Sequence, residues 1–150
     1  MRNVANSVTV VTTDGPAGRH GATVSSFCSV SADPPTLLVC LNREGRTCSA
    51  ALENQRFCVN VLAETDAAKA RLFAGLGVSE DVDPFKEVDW SNHKTGLPVL
   101  EGTTAFSCRL TQTVLATSHQ VLIGDVEAIA PGNNRPLIYM NRQFSRIADS

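Results

Sequence analysis

Between residues 21 and 35 the chain reads GATVSSFCSVSADPP, which places five hydroxyl side chains, Thr23, Ser25, Ser26, Ser29 and Ser31, within nine residues. A period of two sends Thr23, Ser25, Phe27, Ser29 and Ser31 to one face of a strand and Ala22, Val24, Ser26, Cys28 and Val30 to the other. A face of small hydroxyls could simply meet water. From Gly21 to Leu41, however, the only ionisable side chains are Asp33 and the cysteines Cys28 and Cys40, whereas solvated strand faces recruit Lys and Glu. This composition suits a flat, polar heteroaromatic ligand: small side chains let it approach the backbone, and hydroxyls and amides satisfy its oxygens. Pro34 and Pro35 would hold the chain extended as it leaves the site.

A second chemical cluster follows at NREGRT, Asn42 to Thr47. A loop arginine is usually solvated. Here Arg46 stands in a glycine-containing turn that feeds a helix, so a guanidinium, free amides and a helix dipole could converge on a phosphate. His119 begins a strand, where it can be a structural or surface group as readily as a ligand contact. Phe85 and Trp90 lie in an acidic loop and are read as its anchors, and Cys28 as a packing residue. No G-x-S-x-G, paired carboxylates or cysteine–histidine signature supplies a nucleophile or a dedicated acid and base. With no C-x-x-C pair, no zinc site is expected.

The elements that must carry these groups are mostly strands. VTVVTT (8 to 13) and RHGATVSSFCSV, joined by the turn DGPAG, read as a hairpin of two strands, and TLLVCLN (36 to 42) as a third, apolar on both faces. Thr47 is placed as the cap of a short helix through CSAALENQ, and FCVNVL restores a strand. Thr65 or Asp66 opens a second helix, AAKARLFAG, with Gly75 as its stop. Residues 76 to 98 lack a regular pattern. In TTAFSCRLTQTV, alternation puts Thr104, Phe106, Cys108, Leu110 and Val114 on a buried face, and HQVLIGDVEAI pairs with it. Six or seven strands with two short helices predict an antiparallel barrel in a mainly β domain, not a doubly wound sheet.

At 150 residues one domain is expected. A net charge of −2 carries no basic excess for nucleic acid or an anionic membrane. The opening MRNVANSVTVV lacks a long apolar run and no stretch is long enough to span a bilayer, so the reading is cytoplasmic. Five widely spaced cysteines are read as reduced and buried.

Taken in order, GATVSSFCSVSADPPTLLVCLNREGRT, RFCVNVL, LPVLEGTTAFSCRL, SHQVLIGDVEAI and PLIYMNRQFSRI resemble the flavin reductase-like family, from about residue 4 to 147. One departure is Ser7, where that family usually has glycine. The resemblance implies an FMN-binding split barrel, a homodimer, and reduction of free FMN or FAD by NADH or NADPH for a separate flavin-dependent monooxygenase, one acting on an aromatic substrate among the expectations. By position it implies that Ala22, Thr23, Val24, Ser25, Ser26, Ser29 and Ser31 line the flavin ring and ribityl chain. Asn42, Arg43, Arg46 and Thr47 would take its phosphate end, and Phe73 would touch the nucleotide. His119 would lie on the nicotinamide side as the candidate catalytic residue, positioning the ring without being an obligatory proton donor. Tyr139, Asn141, Arg142 and Phe144 would close over the pyridine nucleotide, with Arg142 and Arg146 serving either its phosphates or a dimer interface. Because the cofactors carry hydride chemistry, the absence of a catalytic triad is then expected. A flavin- or haem-binding barrel without turnover, and a self-contained oxidase, remain the alternatives.

Overall fold

Two residues, Ser25 and Ser26, connect strands that lie at opposite ends of one sheet. In the computed structural model, which describes residues 1–149, β3 (His20–Val24) ends just before them and β4 (Phe27–Ala32) begins just after. The main sheet also contains β2 (Thr9–Thr13), β5 (Pro35–Asn42), β6 (Arg56–Val61), β9 (Thr104–Ala116) and β10 (His119–Ala130). Its seven strands run β3-β2-β6-β9-β10-β5-β4, antiparallel throughout. A two-residue link reaches only about 10 Å. The sheet must therefore curl until its ends meet, which makes it a barrel with a seam, and the Ser26 carbonyl extends the β4–β5 ladder by accepting a hydrogen bond from Cys40 N at 3.0 Å.

The expected single strand through residues 19 to 30 is thus two strands, and its continuous period of two is broken at Ser25 and Ser26. Asp33 and Pro34 form the β4–β5 turn, so Pro34 reverses the chain where extension was expected, while Pro35 is extended as the first residue of β5. The barrel interior holds Val11, Leu37, Val39, Leu41, Phe57 and Leu122. A second apolar cluster, including Val8, Val10, Leu62, Leu100 and Leu137, packs outside it under α2 (Ala67–Phe73). The small strands β1 (Asn6–Ser7), β11 (Ile138–Met140) and β12 (Gln143–Ser145) form a three-stranded sheet, and Tyr139 and Phe144 from it pack against that second cluster.

The helices meet most of their expectations. Gly75, at φ +68, stops α2 as predicted: Leu76 N donates to Arg71 O at 3.0 Å and Gly75 N to Leu72 O at 3.2 Å, a Schellman ending. Thr47, in contrast, does not cap α1 (Arg46–Asn54); Gly45 does, and Thr47 is a buried residue of the first turn. Residues 76 to 98 hold only a 3-10 turn (Pro84–Lys86) and β7 (Trp90–Ser91), which pairs with β8 (Val99–Leu100). Their anchors are aromatic. Trp90 stacks on Phe85 at 4.9 Å, and both meet Phe73 edge-on.

β9 is buried only as far as Leu110. Beyond it Val114 is 51% exposed, because residues past Arg109 extend beyond β6 and have a strand on one side only. Cys28 is exposed on the edge strand β4, not a packing residue, while Cys48, Cys58 and Cys108 are buried. Burial lifts the Cys58 thiol from an ordinary 9.0 to about 12 and pushes Cys108 up as well. Both thiols stay protonated in the native state after the unfolded chain has ionised. Stability should therefore hold below about pH 9 and fall as pH rises toward about 12, with a shallower fall in Cys58→Ala, measured as Tm against pH. Among the described residues no helix is long and apolar enough to cross a membrane, and no three His, Cys, Asp or Glu side chains cluster as metal ligands.

Candidate functional site

The seam between the sheet ends opens into a cleft of about 290 Å³. One lip is Ala22, Thr23, Val24, Ser25 and Ser26. The other is Cys40, Leu41 and Asn42 at the end of β5, with His119 beside them because β10 pairs His119 with Asn42. Gly45, Thr47 and Cys48 form its end wall. No Asp, Glu, Lys or Arg lines it, and burial raises the Cys40 and Cys48 thiols, so both stay neutral at ordinary pH. The Thr23 hydroxyl donates to Ala70 O at 2.7 Å and fixes the lip to α2. His119 is exposed, its Nδ1 2.9 Å from the Ser118 hydroxyl.

The end wall is electrostatically incomplete. Gly45 offers no side chain to cap α1, the first turn carries no acidic residue, and the turn's first internal bond is Cys48 N to Gly45 O at 3.1 Å. The amides of Arg46 and Thr47 thus point out of the helix at its positive end, beside the cleft. A helix start that lacks its own cap is a site for an external anion.

A second cleft of about 190 Å³ shares the wall Thr23–Ser25 and is completed by Ala70, Ala74, Leu76, Tyr139 and Phe144. Two ligand-sized hollows therefore flank one backbone segment. The arrangement offers one molecule an anionic anchor at α1, with a second hollow on the other side of the shared wall.

The structure gathers Ala22, Thr23, Val24, Ser25, Ser26, Asn42, Thr47 and His119 in the first cleft, and Tyr139 and Phe144 in the second. Arg46 is exposed as the first residue of α1, next to the end wall. Ser29 and Ser31 do not line the cleft, since β4 carries them away from the seam. Arg43 points its Nε at Glu44, 3.0 Å away. Phe73, 6% exposed, is held in the aromatic cluster and touches neither cleft. Asn141 and Arg142, both at positive φ, are the two turn residues between β11 and β12, outside both clefts. Sequence reasoning missed Cys40, Leu41 and Cys48, and took Gly45 only as part of the turn before the helix, not as its bare cap. Gly45 was findable as a glycine directly before a helix with no capping side chain.

A curled antiparallel sheet whose seam carries a neutral hydroxyl lip and a bare helix N-terminus defines a split barrel with a ligand cleft. The chain belongs to the flavin reductase like domain family, whose model matches residues 1–148. It is 42% identical over 150 residues to "FMN reductase (NADH) RutF" of Ancylobacter novellus, covering 99% of this chain and 82% of that one. Among solved structures, BorF, the flavin reductase component of a bacterial two-component tryptophan halogenase, superposes with TM-score 0.88 at 32% identity, covering 99% of this chain and 94% of BorF. The styrene monooxygenase flavin reductase of Pseudomonas putida S12 gives 0.84 at 28% identity, covering 97% and 93%.

Proposed function

We propose that this enzyme is an NADH:FMN oxidoreductase that releases reduced FMN to a separate flavin-dependent monooxygenase, one acting on an aromatic substrate. The observation that carries the reading is the pair of clefts on Thr23–Ser25, one of them ending at an uncapped helix. The residues fit the flavin: the lip is small, polar and uncharged, and the end wall offers amides to one phosphate. Bound there, FMN supplies the hydride-accepting ring of the reaction. Backbone amides and serine hydroxyls of the lip would hold the ring and favour negative charge on it. Tyr139 and Phe144 wall the nicotinamide's side of the same segment, and His119 orients what enters at the mouth of the first cleft. FMN and NADH, chosen over FAD and NADPH, follow the names of relatives such as the Ancylobacter novellus protein. The aromatic partner substrate follows the styrene and tryptophan in the names of two structural neighbours.

The functional unit in this reading is a homodimer. Strand register places Val114, Val121 and Cys40 side by side, with Leu38, Ile123 and Cys28 in the next row, on the face of β9-β10-β5-β4 turned away from the barrel core. These two rows carry no charged residue and end at the ion-paired Arg109 and Asp125 in the row beyond, which makes them an apolar patch that a second copy would cover.

Purified protein with NADH and excess FMN should lose nicotinamide absorbance in proportion to enzyme, faster than with FAD or with NADPH. No flavin-dependent loss would leave a binding protein without turnover. Consumption of an organic substrate with one tightly held flavin and no second protein would make it a self-contained oxidase.

A further inference from the structure

A hollow of about 210 Å³ that shares no residue with either cleft is bounded by Arg19, Trp90, Ser91, Asn92, His93 and Gly96. The loop beneath it is tied down by its own hydrogen bonds. Gly96 N donates to His93 O at 3.0 Å with Gly96 at φ +72, and Arg56 clamps the loop to the β2–β3 turn, donating from Nη1 to Thr95 O and from Nε to Asp14 O, each at 3.0 Å.

A line of hydroxyls running out from the core fixes the protonation of His93. Ser107 gives its one hydroxyl proton to Cys58 Sγ at 3.8 Å, so Thr95 must donate to Ser107 Oγ at 3.1 Å, and His93 Nδ1 must donate to Thr95 Oγ1 at 3.1 Å. The neutral ring therefore carries its proton on Nδ1, turned into the loop. Nε2, on the opposite edge, is a bare acceptor at the hollow.

The charge around the hollow is one-sided, since no Asp or Glu lines it. Arg19 spends Nε and Nη2 on a single oxygen, Asp14 Oδ2, both at 3.1 Å, and its Nη1 is left over from that pairing. Among the described residues Arg56 has no carboxylate within ion-pair distance, and its Nη2 lies 3.8 Å from where a Cβ on Gly96 would stand, so a second cation sits at that wall. Trp90 offers its ring alone, because its Nε1–H is donated to Phe85 O at 2.9 Å.

We propose that this hollow binds a small hydroxylated aromatic carboxylate, its carboxylate on Arg19 in the field of Arg56, its ring along Trp90 and its hydroxyl donating to His93 Nε2. Pockets for drug-sized molecules run to roughly 300–1,000 Å³, so the smaller space here admits one ring with its substituents. Inorganic phosphate would satisfy the cations and leave the indole and Nε2 unused. A divalent cation would meet two guanidinium groups.

Trp90 is the chain's one tryptophan, so its indole N–H gives an NMR signal that needs no assignment by mutation. Titration of the purified protein with 4-hydroxybenzoate should shift that signal saturably, with a matching one-to-one binding heat by calorimetry. Benzoate, which lacks the hydroxyl, should bind about fivefold more weakly, and phenol, which lacks the carboxylate, about tenfold. Arg19→Gln, at an exposed position, should weaken both carboxylates about tenfold with Tm unchanged. His93→Leu should erase the preference for 4-hydroxybenzoate over benzoate while leaving the Kd for benzoate as it was, a result that mere loosening of the loop would not give. FMN and NADH should displace neither ligand. Absence of a saturable shift, phosphate binding as tightly as 4-hydroxybenzoate, displacement by FMN or NADH, or binding that ignores both substitutions overturns the site, and none of these outcomes touches the oxidoreductase reading.

Discussion

Gly45→Asp should weaken FMN binding by about 100-fold while leaving the protein at least as stable as the wild type. The substitution gives α1 the cap it lacks, since an aspartate at this position accepts from the amides of the first turn. Those amides are the ones assigned to the phosphate. A carboxylate about 5 Å from an anion costs about 3 kcal/mol at an effective dielectric of 20, which is the source of the 100-fold figure. Gly45 has φ −79, a conformation any residue adopts, and its new Cβ would lie 3.1 Å from Asn42 O, a shift of a few tenths of an ångström. The helix-capping gain over glycine is a few tenths of a kcal/mol, so Tm stays level or rises slightly. Flavin titration by fluorescence quenching and a melting curve on the same sample read the two effects separately. An unchanged FMN Kd would remove the anion site from the end wall, and with it the orientation proposed for the flavin.

Gly124→Val should cost the fold about 3 kcal/mol or more, seen as a Tm about 6–12 °C lower. Gly124 sits on β10 next to a register shift between Ile123 and Gly124, with its missing side chain directed at the barrel core. A Cβ there would come within 2.9 Å of Cys108 Cβ and of Phe57 Cε1 and Cζ. Phe57 is completely buried and Cys108 nearly so, which leaves neither room to retreat. Gly124→Ala tests the same contact with a smaller group and should fall between the two. A Val variant as stable as the wild type would mean that the Phe57 ring can swing aside, and the core would be looser than its burial implies.

Much of the barrel was legible because local pattern and tertiary role agree. The hairpin across DGPAG, the pairing of β9 with β10 and the glycine stop of α2 are all decided within a few residues. The failures share a different cause. The break at Ser25 and Ser26 is forced by closure of a sheet whose ends are far apart in its order, and the alternation of small residues runs through the break unperturbed. Val114 alternates like a core residue, yet no β6 residue reaches it. Phe73 carries a nucleotide role in the resemblance, but the space in front of it is taken by Phe85 and by Gly21, whose Cβ would lie 3.0 Å from the Phe73 ring. For the site, residue types at Thr23–Ser26, Asn42 and His119 pointed to one place without saying why they converge. The reason is pairing between β10 and β5, a contact across 77 positions of sequence for His119 and Asn42.

The link at Ser25 and Ser26 also inverts a common rule of protein engineering. Exposed connections between strands ordinarily accept extra residues with little penalty. Here the connection is a two-residue tether whose length sets the width of the opening it spans, so each added residue would act as a spacer in the ligand aperture. A lineage of such enzymes could retune the girth of what it admits by insertion or deletion at one point, without altering a single wall residue.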